Sequence, residues 1–128
     1  MTVRQALIIE DDVDNIAILV QLLSLENVSS TVVENPTAIR DVLQDARHFD
    51  VVFLDLEMPN LDGYKVFHIL KSELGLSAPI VAYTVHTSES NSAYDFGFDG
   101  FLSKPLNVDR FPGQLKRILA GEQVWELR

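Results

Sequence analysis

The sequence predicts an α/β fold, a doubly wound parallel sheet with helices on both faces and strand order 2-1-3-4-5. Two observations carry that prediction. Short apolar runs alternate along the chain with stretches whose apolar residues recur at helical spacing. The runs are apolar throughout rather than alternating with polar residues, as in strands covered on both faces.

Each element follows in order. Ala6 to Ile9 is the first strand, ending in Glu10-Asp11-Asp12. From Val13 to Leu25, the residues Val13, Ile16, Ala17, Val20 and Leu23 make one helical face. Ser30 to Val33 is a short second strand. Pro36 to Ala46 opens with a proline suited to a first turn and carries Ile39, Val42, Leu43 and Ala46 on one side. Val51 to Leu54 is a buried strand ending in Asp55. Pro59-Asn60-Leu61-Asp62-Gly63 is turn-rich, with Asp62 structural, and leads into a helix from Tyr64 to Leu74 that Gly75 ends. Pro79 to Thr84 is the fourth strand, and Ser88 to Phe96 a polar helix closed by Gly97. Phe101 to Ser103 is the fifth strand. A last helix runs from about Asp109 to Ala120, its start shifted toward Arg110 by Pro112. Residues 1–120 are thus expected to be one domain and residues 121–128 a short tail, in which Trp125 serves packing.

Composition narrows the function. The chain of 128 residues suits a single domain with one real core. There is no cysteine, which excludes disulfides and thiolate metal sites and fits a reducing cytoplasm. A formal net charge of −9 argues against a nucleic-acid partner, which needs a basic face, and against an anionic membrane surface. Ile16 to Val20 is too short a run to span a bilayer, and Met1 to Gln5 has no apolar segment after it that would make a signal peptide.

In a parallel sheet the crevice lies at the carboxyl ends of the strands. There the sequence places Glu10 and Asp11, then Asp55, then Thr84, then Lys104. Taken singly each has an ordinary role: acids after a strand cap helices, and a lysine is solvated. Together they form one chemistry. Clustered carboxylates repel unless a cation neutralises them, and an all-oxygen set suits Mg²⁺. A carboxylate nucleophile, a divalent ion, a lysine and a hydroxyl are what phosphoryl transfer to Asp requires.

The segments ALIIEDD (residues 6–12), DLEMPNLDG (55–63), PIVAYT (79–84) and GFLSKP (100–105) resemble the response-regulator receiver family of two-component signalling, and the resemblance covers roughly residues 5 to 120. It implies a flavodoxin-like (βα)5 fold. It implies phosphorylation of Asp55, with Mg²⁺ held by the carboxylates of Asp11 and Asp55 and the main-chain carbonyl of Glu57, and with Glu10 acting through water. It implies that Thr84 and Lys104 contact the phosphoryl oxygens, that Thr84 and Phe101 form the switch, and that the peptide before Pro105 is cis. Phe101 has no hydroxyl, so burial of its ring is expected to report the switch.

Val85 departs from the family's usual Ala or Gly. Its extra methyl groups are expected to narrow access to Asp55, and Glu57 and His86 to set how easily water attacks the acyl phosphate. The implied donor is a histidine kinase or a histidine phosphotransfer protein. The implied output is a partner, or a homodimer through the face of helix four, strand five and helix five. Eight residues after Ala120 are too few for a helix-turn-helix, and Met1 suggests a complete single-domain chain rather than a fragment of a hybrid kinase. The expected module catalyses its own phosphorylation and dephosphorylation but is a signalling protein rather than an enzyme. A haloacid-dehalogenase-type phosphatase needs an Asp where Glu57 stands. A flavin-binding flavodoxin needs a Ser/Thr/Gly-rich phosphate loop, which is missing. A pseudo-receiver would not need the retained Asp55, Thr84 and Lys104.

Overall fold

The computed structural model describes residues 3–35, 38–43, 48–58 and 61–126. Its first strand, β1 (Arg4–Ile9), leads into α1 (Val13–Leu25). Asp12 caps that helix by accepting from the Asn15 amide, which satisfies a donor the first turn leaves free. Then come β2 (Val28–Val33), α2 (Ile39–Val42) and β3 (Val51–Asp55). Pro36 and Ala46, expected at the ends of α2, lie outside the described residues.

After β3, Glu57–Met58 pairs antiparallel with Leu61–Asp62 in a small ladder; Pro59 and Asn60 lie outside the described residues. Asp62 caps α3 (Gly63–His68) by accepting from the Tyr64 amide. The helix widens to a π-turn over Ile69–Glu73, a change of hydrogen-bonding step that an apolar period does not reveal. Next are β4 (Ile80–Thr84), a 3-10 turn (Thr87–Glu89), α4 (Ser90–Phe96), β5 (Gly100–Ser103) and α5 (Phe111–Leu119). Gly97 ends α4 with φ 113°, a left-handed cap that favours glycine.

The sheet is parallel in the order β2-β1-β3-β4-β5, as the sequence predicts, but it has a sixth strand. Residues 121–128 are not simply a tail: β6 (Val124–Glu126) pairs parallel with β5, with Phe101 opposite Trp125. Three residues are too few to show a period, so the strand is invisible to pattern reading. It forms because α5 returns the chain to the β5 edge, where Val124 is buried against α5. Leu127 and Arg128 lie outside the described residues.

Two apolar layers sandwich the sheet. One joins Ala6, Ile8, Phe53 and Tyr83 to Leu19 and Leu23 of α1 and to Phe111, Leu115 and Ile118 of α5. The other joins Leu7, Ile9, Leu54 and Phe101 to Ile39, Val66, Leu70 and Ala93 beneath α2, α3 and α4. All five residues of β3 are buried. Each Val or Leu so placed contributes roughly 1.5–3 kcal/mol, which fixes the strand that carries Asp55.

Candidate functional site

Strand register builds the site. Ile9 lies opposite Leu54, Asp55 opposite Tyr83, and Thr84 opposite Ser103. Glu10, Asp55, Thr84 and Lys104 therefore stand in one row at the carboxyl edge. They line an open cleft of about 450 Å³ together with Asp11, Glu57 and Val85.

At its floor, oxygens of Glu10, Asp11 and Asp55 lie within 4.8 Å of one another. Glu10 is wholly buried, and its Oε2 accepts from the amides of Asp11 and Asp12 at 3.0 and 3.3 Å. Lys104 Nζ donates to Glu10 Oε1 at 2.7 Å and stands 3.3 Å from Asp55 Oδ2. Asp55 Oδ1 accepts from the Glu57 amide at 2.9 Å.

These contacts divide the charge unequally. Burial, and then the neighbouring Glu10, push the Asp55 carboxyl up to about 8. Burial also works to raise Glu10, but hydrogen bonds with Asp55 and Lys104 outweigh it and hold Glu10 below the usual carboxylate range. Once Asp55 is ionised, two buried carboxylates, the neighbouring Asp11 and one cation leave the pocket net negative, a form that a divalent cation stabilises. Three hard oxygen donors around such a charge fit Mg²⁺.

The rim is organised by Glu57. Its Oε1 accepts from the Thr84 hydroxyl at 2.7 Å, and its Oε2 lies 2.7 Å from His86 Nε2. The His86 amide in turn donates to Thr84 Oγ1 at 3.2 Å. Thr84 is thus at the site as expected, but its hydroxyl is directed to Glu57. The Glu57 carboxylate stands apart from the three-acid cluster. Val85 projects at the mouth, 60% exposed.

Phe101 lies one strand from the site, opposite Ala82. Its ring is already fully buried, in the layer beneath α4, with Trp125 stacked on it at 6.1 Å and 11°. Ring burial is therefore complete in this state, so any change that accompanies switching must lower it. The Lys104–Pro105 peptide is cis, as the resemblance implies.

Tyr83 was missed. Its buried hydroxyl donates to Glu10 Oε1 at 3.1 Å, and its ring lies 4.5 Å beneath Lys104 Nζ. The only signal in the sequence is a hydroxyl-bearing aromatic amid the aliphatic residues of β4.

The chain is 27% identical over 124 residues to the osmosensing histidine protein kinase SLN1 of Saccharomyces cerevisiae, covering 91% of this chain but 10% of the kinase. In structure it resembles the chemotaxis protein CheY4 of Vibrio cholerae, with TM-score 0.79, 21% identity, and 91% of this chain and 99% of that one covered. It also resembles the receiver domain of the sensor histidine kinase PA1611 from Pseudomonas aeruginosa PAO1, which holds a magnesium ion in its active site cleft. There the TM-score is 0.78 and the identity 23%, with 93% of this chain and 99% of that one covered. At such identities the two structures speak for the fold alone. Residues 6–116 match the family model of the response regulator receiver domain. That match takes in most of the sheet and all the acids at its edge, and so the chain belongs to the receiver domain family of two-component signalling.

Proposed function

We propose that Asp55 is a phosphoacceptor that takes a phosphoryl group from a histidine kinase or a histidine phosphotransfer protein. The observation that carries this reading is a buried carboxylate at the end of β3, 3.3 Å from a lysine and within one cluster with Glu10 and Asp11. In this reading Asp11 and Asp55, with the Glu57 carbonyl and with Glu10 acting through water, hold Mg²⁺, which neutralises charge on the transferring group.

The chain's own residues do the rest. An Asp55 oxygen attacks phosphorus in line; the new O–P bond forms as the P–N bond to the donor imidazole breaks, and the imidazole leaves with the electron pair. Lys104 stays within reach of the added charge and turns from Asp55 toward a phosphoryl oxygen. The Thr84 hydroxyl exchanges its acceptor, Glu57, for another such oxygen. Hydrolysis by water returns the free carboxylate, with Glu57 and His86 at the rim governing its approach. In this reading the donor docks near α1, where Val13 and Ile18 are exposed and Ile18 shares a cleft with Val108 and Lys104. Output passes to a partner protein or to a homodimer through the α4-β5-α5 face, where Tyr94 is exposed.

The test is intact mass after incubation with Mg²⁺ and acetyl phosphate, beside Asp55→Asn. A Mg²⁺-dependent phosphoryl adduct in the wild type and none in the variant supports the reading. Absence of both the adduct and beryllofluoride binding would make the chain a pseudo-receiver.

A further inference from the structure

The strand β6 is held in an unusual way. Among the described residues three pair with β5, Val124 with Gly100, Trp125 with Phe101 and Glu126 with Leu102. The pairs Arg110–Glu126 at 3.5 Å and Arg117–Glu122 at 3.4 Å are exposed, and such pairs add little. A hold that short belongs to the low-stability end of a fold. What anchors it is apolar. Val124 is buried, and the Trp125 ring lies flat on Phe101 while meeting the exposed Tyr94 of α4 edge-on at 5.4 Å. The approach is close: a Cβ at Gly100 would stand 3.0 Å from the Val124 carbonyl oxygen.

Through β5 this anchor reaches the site. Phe101 pairs with Ala82 and Ser103 with Thr84, so the ring that Trp125 covers lies on the strand beside the switch hydroxyl.

We infer that β6 is a releasable strap: Trp125 holds Phe101 in its resting place, and phosphoryl acceptance at Asp55 loosens the strap by disturbing that stack. This rests on Asp55 being the phosphoacceptor. Coupling of this kind is reciprocal. Removing the strap's grip must therefore favour the phosphorylated state by as much as phosphorylation loosens the strap.

Trp125 is the chain's only tryptophan, so it reports on itself. Acrylamide quenching of its emission is measured in the full chain with Mg²⁺, before and after beryllofluoride, a phosphoryl mimic whose binding is followed separately by fluorine NMR. Saturation is expected to raise the quenching constant about twofold or more. Trp125→Ala and Tyr94→Ala are expected to tighten beryllofluoride binding roughly three- to tenfold, the range one aromatic pair is worth. Tyr94 is exposed, so its variant keeps the test open even where Trp125→Ala fails to fold. Beryllofluoride bound at Asp55 with unchanged quenching, or with Tyr94→Ala binding as tightly as wild type, overturns the strap while leaving the phosphoacceptor intact. No bound beryllofluoride in the wild type removes the phosphoacceptor reading and the strap with it.

Discussion

The Thr84 hydroxyl donates to Glu57 Oε1 at 2.7 Å, which ties the end of β4 to the residue two places after Asp55. On the proposed function the bond opposes phosphoryl transfer, because the hydroxyl would have to leave a charged acceptor before serving a phosphoryl oxygen. Hydrogen bonds to charged groups are worth about 1.5–3 kcal/mol. Glu57→Ala keeps the main-chain carbonyl and frees the hydroxyl. Its labelling by acetyl phosphate is expected to be roughly tenfold faster than wild type, read as the rate of adduct formation by mass. An unchanged rate would show that the Glu57–Thr84 bond is no barrier.

Val85 stands at the mouth of the same cleft. Val85→Ala removes two methyl groups from the approach to Asp55, and labelling by small donors is expected to rise about two- to fivefold. Thermal stability should hardly move, since the side chain is mostly in solvent.

Asp55 carries a pH dependence whose sign follows from its position. In the metal-free fold its carboxyl is pushed up to about 8 from an ordinary 3.8, by burial and by Glu10. Between those values the folded chain binds a proton that the unfolded chain has lost. The stabilisation is therefore complete below the lower value and disappears as pH rises through the upper one. Without Mg²⁺, Asp55→Asn should raise Tm over wild type by more at about pH 8 than at about pH 5. Mg²⁺ should stabilise the wild type more at the higher pH and the variant less. Melting curves at the two pH values check both.

Lys104 is the one cation among the described residues that touches both Glu10 and Asp55. Lys104→Met keeps the aliphatic length but leaves two buried carboxyls facing each other. Breaking such a pair costs about 3–5 kcal/mol, to be read from urea unfolding. A loss below about 1 kcal/mol would show that the acids already share a proton and need no lysine for stability.

Gly63 sits where Asp62 starts α3, and a Cβ there would lie 2.9 Å from Leu56 Cδ2 and 3.0 Å from Leu56 Cα. The second contact is to backbone, directly after Asp55. Gly63→Ala is expected to cost about 1–3 kcal/mol by overpacking and to slow labelling, because the loop after β3 has to move.

Much of this was legible in the sequence. Glu10, Asp11, Asp55, Thr84 and Lys104 each end or follow an apolar run, and parallel pairing leaves such ends only one edge to share. What stayed hidden was of a different kind. The sequence puts Glu57 and Thr84 at the site, but a hydrogen bond between side chains 27 positions apart depends on rotamers that no pattern encodes. The hydroxyl of Tyr83 was masked by its place in a buried strand. The π-turn in α3 shifts the helix by a residue without disturbing its apolar face. Trp125 looked like tail packing because its partner Phe101 belongs to a strand that seemed to be the sheet's last.

That last strand would otherwise present a row of bare amides and carbonyls beside apolar side chains, the kind of edge on which chains stack into aggregates. β6 covers it over the described residues Val124–Glu126, the last of which is charged. A charged side chain on an edge strand works against pairing with further strands. The same segment that rests on Phe101 thus also shields the β5 edge from pairing with other chains, so a variant that loses β6 should be judged by its light scattering as well as by its phosphoryl labelling.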